Sequence, residues 1–152
     1  MGRIFEKISQ AQDYSFKLPE RSTKNSAGYD FYAPENIIIK HSDISNNPEP
    51  YCIKTKVKVK MEEDECLMVY PRSSWPSRLG LVMANSVGII DSDYYNNLDN
   101  EGEIGFLVYN LGPTLCIHKG EKIGQGIFTK FLITNDDNAS GSRNGGFGST
   151  GA

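Results

Sequence analysis

Apolar and polar positions along this chain recur at the spacing of short strands, not helices. Ile53, Thr55, Val57 and Val59 alternate with Lys54, Lys56, Lys58 and Lys60, a period of two that predicts one strand with a wet face. Its lysine row reads as a solvated, aggregation-resistant face in preference to a nucleic-acid patch. Further strands are expected at residues 3–8, 36–40, 66–70, 79–83, 87–90, 103–110, 114–118 and 123–131. Pro34, Pro48, Pro50, Pro71, Gly102, Gly112-Pro113 and Gly120 punctuate them. No segment carries an apolar stripe at helical spacing over three turns; a single turn at 75–78 is the best helix on offer. The expected class is all-β, a barrel, sandwich or jelly roll of short strands with at most one short helix.

Length narrows this to one domain, since 152 residues bury a core without covalent staples. A net charge of −3 argues against a protein that grips DNA or RNA through its overall field. Any anionic ligand must be met by local charge or a metal ion. Cys52, Cys66 and Cys116 have no close spacing, so they read as free thiols of a reducing cytosol. No stretch resembles a signal peptide or reaches membrane-spanning length, so a cytoplasmic protein with no membrane partner is expected. Residues 139–152 are rich in Gly and Ser, and composition predicts a flexible C-terminal arm beyond a domain at 1–138.

The chemistry concentrates between Pro71 and Tyr94. Arg72, Ser73 and Ser74 follow one apolar run, offering a planar guanidinium fork and two hydroxyl donors to phosphate oxygens. Asp91 ends the next apolar run and Tyr94 follows it; an Asp on a rigid strand beside such a cluster can activate a water against phosphorus. Gln125, in Gly120-Glu-Lys-Ile-Gly-Gln125, offers an amide to a phosphate, and Asp30 follows Gly28 in Ala27-Gly-Tyr-Asp-Phe31. Either segment alone reads better as a turn than as a site. The arm is more specific. Arg143, Phe147, Gly148, Ser149 and Thr150 lie within nine residues, where glycines let backbone N–H groups approach a phosphate and Phe147 is free to stack on a base.

Five segments, Ala27–Phe31, Pro71-Arg-Ser-Ser74, Gly88-Ile-Ile-Asp-Ser-Asp-Tyr94, Gly120–Gln125 and Arg143–Gly151, resemble in order the five motifs of the trimeric dUTPases. The resemblance spans nearly the whole chain. It implies a β jelly roll or β-clip barrel whose arm closes over the active site. It also implies a homotrimer with shared sites, hydrolysing dUTP to dUMP and pyrophosphate with Mg2+ on the triphosphate. Such an activity limits uracil incorporation into DNA and supplies dUMP for dTMP synthesis.

Carried onto this chain, Asp91 would be the general base for in-line water attack on the α-phosphorus. Asp30 would steady a metal-bound water from the outer shell. Arg72, Ser73, Ser74 and Gln125 would hold phosphates, and Arg143, Ser149 and Thr150 would close over the distal ones. Asn85, Gly88 and the backbone up to Asp91 would form a hairpin pocket for the uracil edge, closed against a 5-methyl group. Tyr94 would pack on the sugar and crowd out a ribose hydroxyl.

Departures from the family pattern stand out, one of them in the arm, where many members have one more residue between the Arg and the Gly-Gly-Phe than this chain has after Arg143. Tyr94 is followed by Tyr95-Asn96-Asn97 where the family commonly has a Gly, and 98–102 reads as a short insertion. Trp75 directly after the Ser pair has no explanation from sequence. The related dCTP deaminases share an Arg-Leu-Gly-Leu echoed at Arg78–Leu81, but their chemistry needs a Glu where this chain has Leu107. An additional regulatory protein partner, through 41–50 or 96–102, is a role the sequence leaves open.

Overall fold

A computed structural model of the chain describes residues 2–143 and 145–147. Eleven strands are described: β1 Ile4–Lys7, β2 Tyr29–Tyr32, β3 Ile37–Ile39, β4 Tyr51–Lys54, β5 Val57–Lys60, β6 Glu65–Tyr70, β7 Leu81–Met83, β8 Gly88–Asp91, β9 Gly105–Asn110, β10 Leu115–Ile117 and β11 Lys122–Lys130. All pair antiparallel, as β2-β11-β6-β8, β4-β9-β7, β1-β5 and β3-β10. Neighbours distant in sequence, such as β2 and β11, are the mark of a jelly roll.

Alternation decides which residues form the core. Along β9, Phe106, Val108 and Asn110 are buried and the residues between them are partly open. Phe106 meets Phe31 of β2 edge-to-face at 5.5 Å, joining the four-stranded and three-stranded sheets. Leu67, Val69, Ile53, Leu81 and Ile123 fill the space around them. Asn110, fully buried, donates to the carbonyls of Ile39 and Pro113 and accepts from the Gly112 amide. Its polarity is thereby satisfied.

Three sequence expectations are corrected. The 53–60 stretch is two strands in two sheets, broken where Lys56 takes a φ of 60° and the buried Thr55 hydroxyl donates to the Ile104 carbonyl. Its lysine row is mostly not a wet face. Lys58 is buried against Glu101 and Asn96, and Lys56 pairs with Glu35 at 3.0 Å. The predicted strand at 79–83 starts at Leu81, because Leu79 closes a five-residue π-type turn, Trp75–Leu79, ended by Gly80 at a φ of 69°. β2 was not anticipated as a strand: its aromatics leave no period of two to read.

Trp75 now has an account. It is 1% exposed and packs edge-on to Phe106 at 6.4 Å, so the turn after Ser74 is pinned to the core by its first side chain.

Glu101 ties two loops to β5. Its carboxylate pairs with Lys58 at 2.9 Å and accepts from the Ser9 amide and hydroxyl. The Lys58 hydrogen bond, then those from Ser9, hold its pKa below the ordinary glutamate value of 4.5. A depressed folded value contributes stability above the unfolded pKa, which is lost as pH falls through the folded one. Glu101→Gln is therefore expected to lower Tm by roughly 2–4 °C near neutral pH. The gap from wild type should close in melts run progressively below pH 4.5.

Candidate active site

The expected site residues fall into two groups. In the first, antiparallel register sets Asp30 of β2 beside Gln125 of β11, and Gln125 beside Tyr70 of β6. Pro71 ends β6 and leads to Arg72 and Ser73, both exposed. Asp30, Gln125, Arg72 and Ser73 line one cleft of about 240 Å3, with Ser22, Ser26, Gly28, Gly124 and Lys122. A Cβ on Gly28 would sit 2.2 Å from Gln125 Oε1, so glycine there lets the amide reach across the strand. Ser74 is set back at the start of the Trp75 turn and does not line this cleft.

Electrostatically the cleft is a mixed cluster. Lys122 Nζ lies 3.2 Å from Asp30 Oδ2, and the Ser22 hydroxyl donates to the same carboxylate. Lys122 also donates to Ser22 at 3.0 Å. Arg72 reaches the Lys122 carbonyl only loosely, at 3.4 Å, which leaves its fork turned to solvent. Sequence reasoning did not single out Lys122 or Ser22 as site residues. The available signal was that Lys122 lies inside the Gly120–Gln125 segment; Ser22 precedes the first of the five segments.

The second group surrounds a cavity of about 270 Å3 lined by Asn85, Gly88, Ile89, Ile90, Asp91, Tyr94, Gly105, Arg143, Gly146 and Phe147. The expected hairpin around Asn85 is instead a corner. β7 pairs with β9 and β8 with β6, so the chain passes between sheets at Ser86, whose φ is 63°. Gly88 packs on β6, where a Cβ would stand 2.5 Å from Val69 Cγ2.

Asp91 ends β8 opposite Cys66 and starts the 3-10 turn Ser92–Tyr94. Burial, and next the Asp91 charge, push the Cys66 thiol up from its ordinary pKa, so it stays protonated beneath the carboxylate. Tyr94 is 6% exposed and burial raises its pKa, which keeps the phenol neutral. From the arm, Arg143 lies 2.5 Å from Asp91 Oδ2 and 2.7 Å from Asp93 Oδ1, a guanidinium shared by two carboxylates. Phe147, 62% exposed, sits at the cavity rim near Gly105 with a φ of 49°. Gly148, Ser149 and Thr150 lie outside the described residues.

The two groups are apart within one chain. Asp91 and Gln125 flank β6 on opposite sides and four residues along it, at Cys66 and Tyr70. That is roughly 15 Å between backbones at strand spacings. One end therefore offers donors suited to phosphates, and the other a carboxylate, an aromatic ring and a pocket floor.

A family model described as dUTPase matches residues 14–151. The chain is 42% identical over 153 residues to the deoxyuridine 5'-triphosphate nucleotidohydrolase of Lactococcus lactis subsp. lactis, covering 99% of this chain and 98% of that protein. The crystal structure of dUTPase from Streptococcus mutans superposes with a TM-score of 0.78 at 38% identity, over 89% of this chain and 99% of that one. A dUTPase from phage phi11 of S. aureus, described with a structural Mg(II) ion, shares the fold at a TM-score of 0.69 and 20% identity, covering 93% and 98%. With the match running through both groups of site residues and across nearly the whole length, the chain belongs to the dUTPase family.

Proposed function

We propose that the protein is a dUTP diphosphatase that uses water to cleave dUTP into dUMP and pyrophosphate. The observation that carries this reading is Asp91, a half-exposed carboxylate on the rim of a cavity shaped by Asn85, Gly88 and Tyr94. Asp91 takes the proton of a water whose oxygen attacks the α-phosphorus. The bond from that phosphorus to the bridging oxygen breaks, and pyrophosphate leaves with the electron pair. Arg72, Ser73 and Gln125 hold the phosphates, and Arg143 exchanges its carboxylate partners for the distal phosphates. Catalysis is then chiefly positioning and charge stabilisation.

The separation of Asp91 from the phosphate cleft supports a site completed between copies, in a homotrimer. Apolar residues left on the surface are consistent with this: Ile89 is 61% exposed, Ile133 68% and Leu132 96%. The cleft also suits magnesium carried in on the nucleotide, because its lining offers Asp30 as a carboxylate together with the Ser22 and Ser73 hydroxyls. Mg2+ typically keeps several waters and binds through one or two carboxylates plus substrate phosphates. Asp30 would hold such a water, and the ion would supply charge neutralisation on the phosphates.

Selectivity follows from the second cavity. The backbone between Asn85 and Asp91 reads the uracil edge, and Tyr94 lies against the sugar. A polar edge mismatched in a buried site leaves groups unpaired, which discriminates strongly. Release of pyrophosphate and monophosphate from dUTP, dCTP, dTTP and UTP, each with and without Mg2+, tests the proposal. Magnesium-dependent turnover confined to dUTP is the expected result. Comparable turnover of dTTP would overturn the pocket assignment, and ammonia release from dCTP would replace hydrolysis with deamination.

A further inference from the structure

We infer that Asn97 and Asn100, in the turn that departs from the family pattern, are positioning residues that fix Tyr94 in the orientation that selects deoxyribose; this rests on the reading of Tyr94 as the residue facing the sugar. The turn holds Tyr94 at both ends. Asn97, 8% exposed, donates from Nδ2 to the Tyr94 backbone carbonyl at 2.9 Å. Asn100 donates from Nδ2 to the Tyr94 hydroxyl at 2.7 Å, and that hydroxyl donates onward to the Glu103 carbonyl at 3.0 Å. The phenol thus has both a donor and an acceptor engaged, which fixes the far end of the ring.

The two amides in turn lock each other. Asn100 Oδ1 accepts from Asn97 Nδ2 at 2.8 Å and from the Gly102 amide at 3.1 Å, while Asn97 Oδ1 accepts from the Asp99 and Asn100 amides. A carboxamide offers a donor and an acceptor from one short side chain, so neither Asp nor Ser reproduces the set. The backbone is shaped to match, with positive φ at Asn96, Glu101 and Gly102.

The arm uses the same platform. A Cβ at Gly146 would lie 2.5 Å from Tyr94 Cε1 and one at Gly145 2.9 Å from Asp99 Oδ2, so the arm backbone packs closely against the hydroxyl end of the ring and against the turn. With the arm packed against the hydroxyl end of the ring and both ends of the residue tied, Asn97 and Asn100 set how Tyr94 lines the cavity. A side chain that excludes one hydroxyl must be held this firmly, since small rotations reopen the space.

The test compares kcat/KM for dUTP and UTP in Asn100→Ala, Asn100→Asp, Tyr94→Phe, Tyr94→Ala and the Tyr94→Phe/Asn100→Ala double variant. The dUTP-over-UTP ratio is expected to fall roughly fivefold in the Asn100 variants and in Tyr94→Phe, the scale of one net hydrogen bond. It should fall no further in the double variant, because the hydroxyl through which Asn100 acts is already gone. Asn100→Asp keeps the acceptor used by Gly102 and Asn97 and loses the donor to Tyr94, so it decides the matter if the alanine variant does not fold. An unchanged ratio in both Asn100 variants, or an equal further loss on the Tyr94→Phe background, overturns the inference. An unchanged ratio in Tyr94→Ala overturns the sugar reading itself, and the inference with it.

Discussion

Asp91→Asn is expected to lower kcat for dUTP by about 10²–10⁴-fold while leaving KM within a few-fold of wild type. Asparagine matches the carboxylate in shape and keeps an acceptor oxygen for Arg143, but it cannot take a proton from the attacking water. The substitution thus removes what the transition state uses and little that binds the ground state. The Asp93 bond to Arg143 survives it, so the arm keeps one of its two anchors. Single-turnover rates of pyrophosphate release, with Tm measured alongside, check the split. A fall of less than about tenfold in folded protein would remove Asp91 from the role of base.

Trp75→Ala is the largest expected effect on stability, about 3–5 kcal/mol, the usual range for emptying a buried large aromatic site. Trp75 is 1% exposed and packs on Phe106, which in turn meets Phe31 of the other sheet, so the cavity would open beside the place where the two layers meet. Collapse is hindered because Phe31 and Phe106 each sit on a strand held by hydrogen-bonded neighbours. The same side chain pins the turn that follows Arg72 and Ser73, so KM for dUTP should rise in whatever fraction stays folded. Urea unfolding measures the first effect through the midpoint, and nucleotide titration the second. Trp75→Phe, which keeps a ring against Phe106, should recover most of the stability.

Both expectations turn on residues whose importance was unevenly legible. Asp91 announces itself in sequence because it ends an apolar run and sits among polar residues in a dense motif. Trp75 does not: nothing local says whether an aromatic after Ser-Ser points to solvent or to the core. The structure decides it by wrapping the chain into a π-type turn. Strands such as β6, β9 and β11 are readable because each buries alternate residues or crosses the core. The 53–60 stretch misleads for a related reason. Alternation continues across Thr55-Lys56 even though the partner strand changes from β9 to β1, and side-chain period carries no record of which neighbour supplies the hydrogen bonds.

Lysines 56 and 58 mislead likewise, because charge predicts solvent until a specific carboxylate arrives from elsewhere. Here Glu35 and Glu101 do so, from loops 21 and 43 residues away in the chain, and partial burial becomes tolerable. The same holds for Lys122 beside Asp30, which come together through β2–β11 pairing.

Sequence by itself determined the all-β class, most strand positions and the residue types able to do phosphate and carboxylate chemistry, since these depend on local pattern and side-chain identity. Tertiary structure alone decided how those residues divide into two groups roughly 15 Å apart, that Asn85 lies at a corner between sheets, and that Asn97 and Asn100 clasp Tyr94. The reason is physical: strand pairing across long stretches of chain sets distances and partners, and no local periodicity encodes which strands will meet.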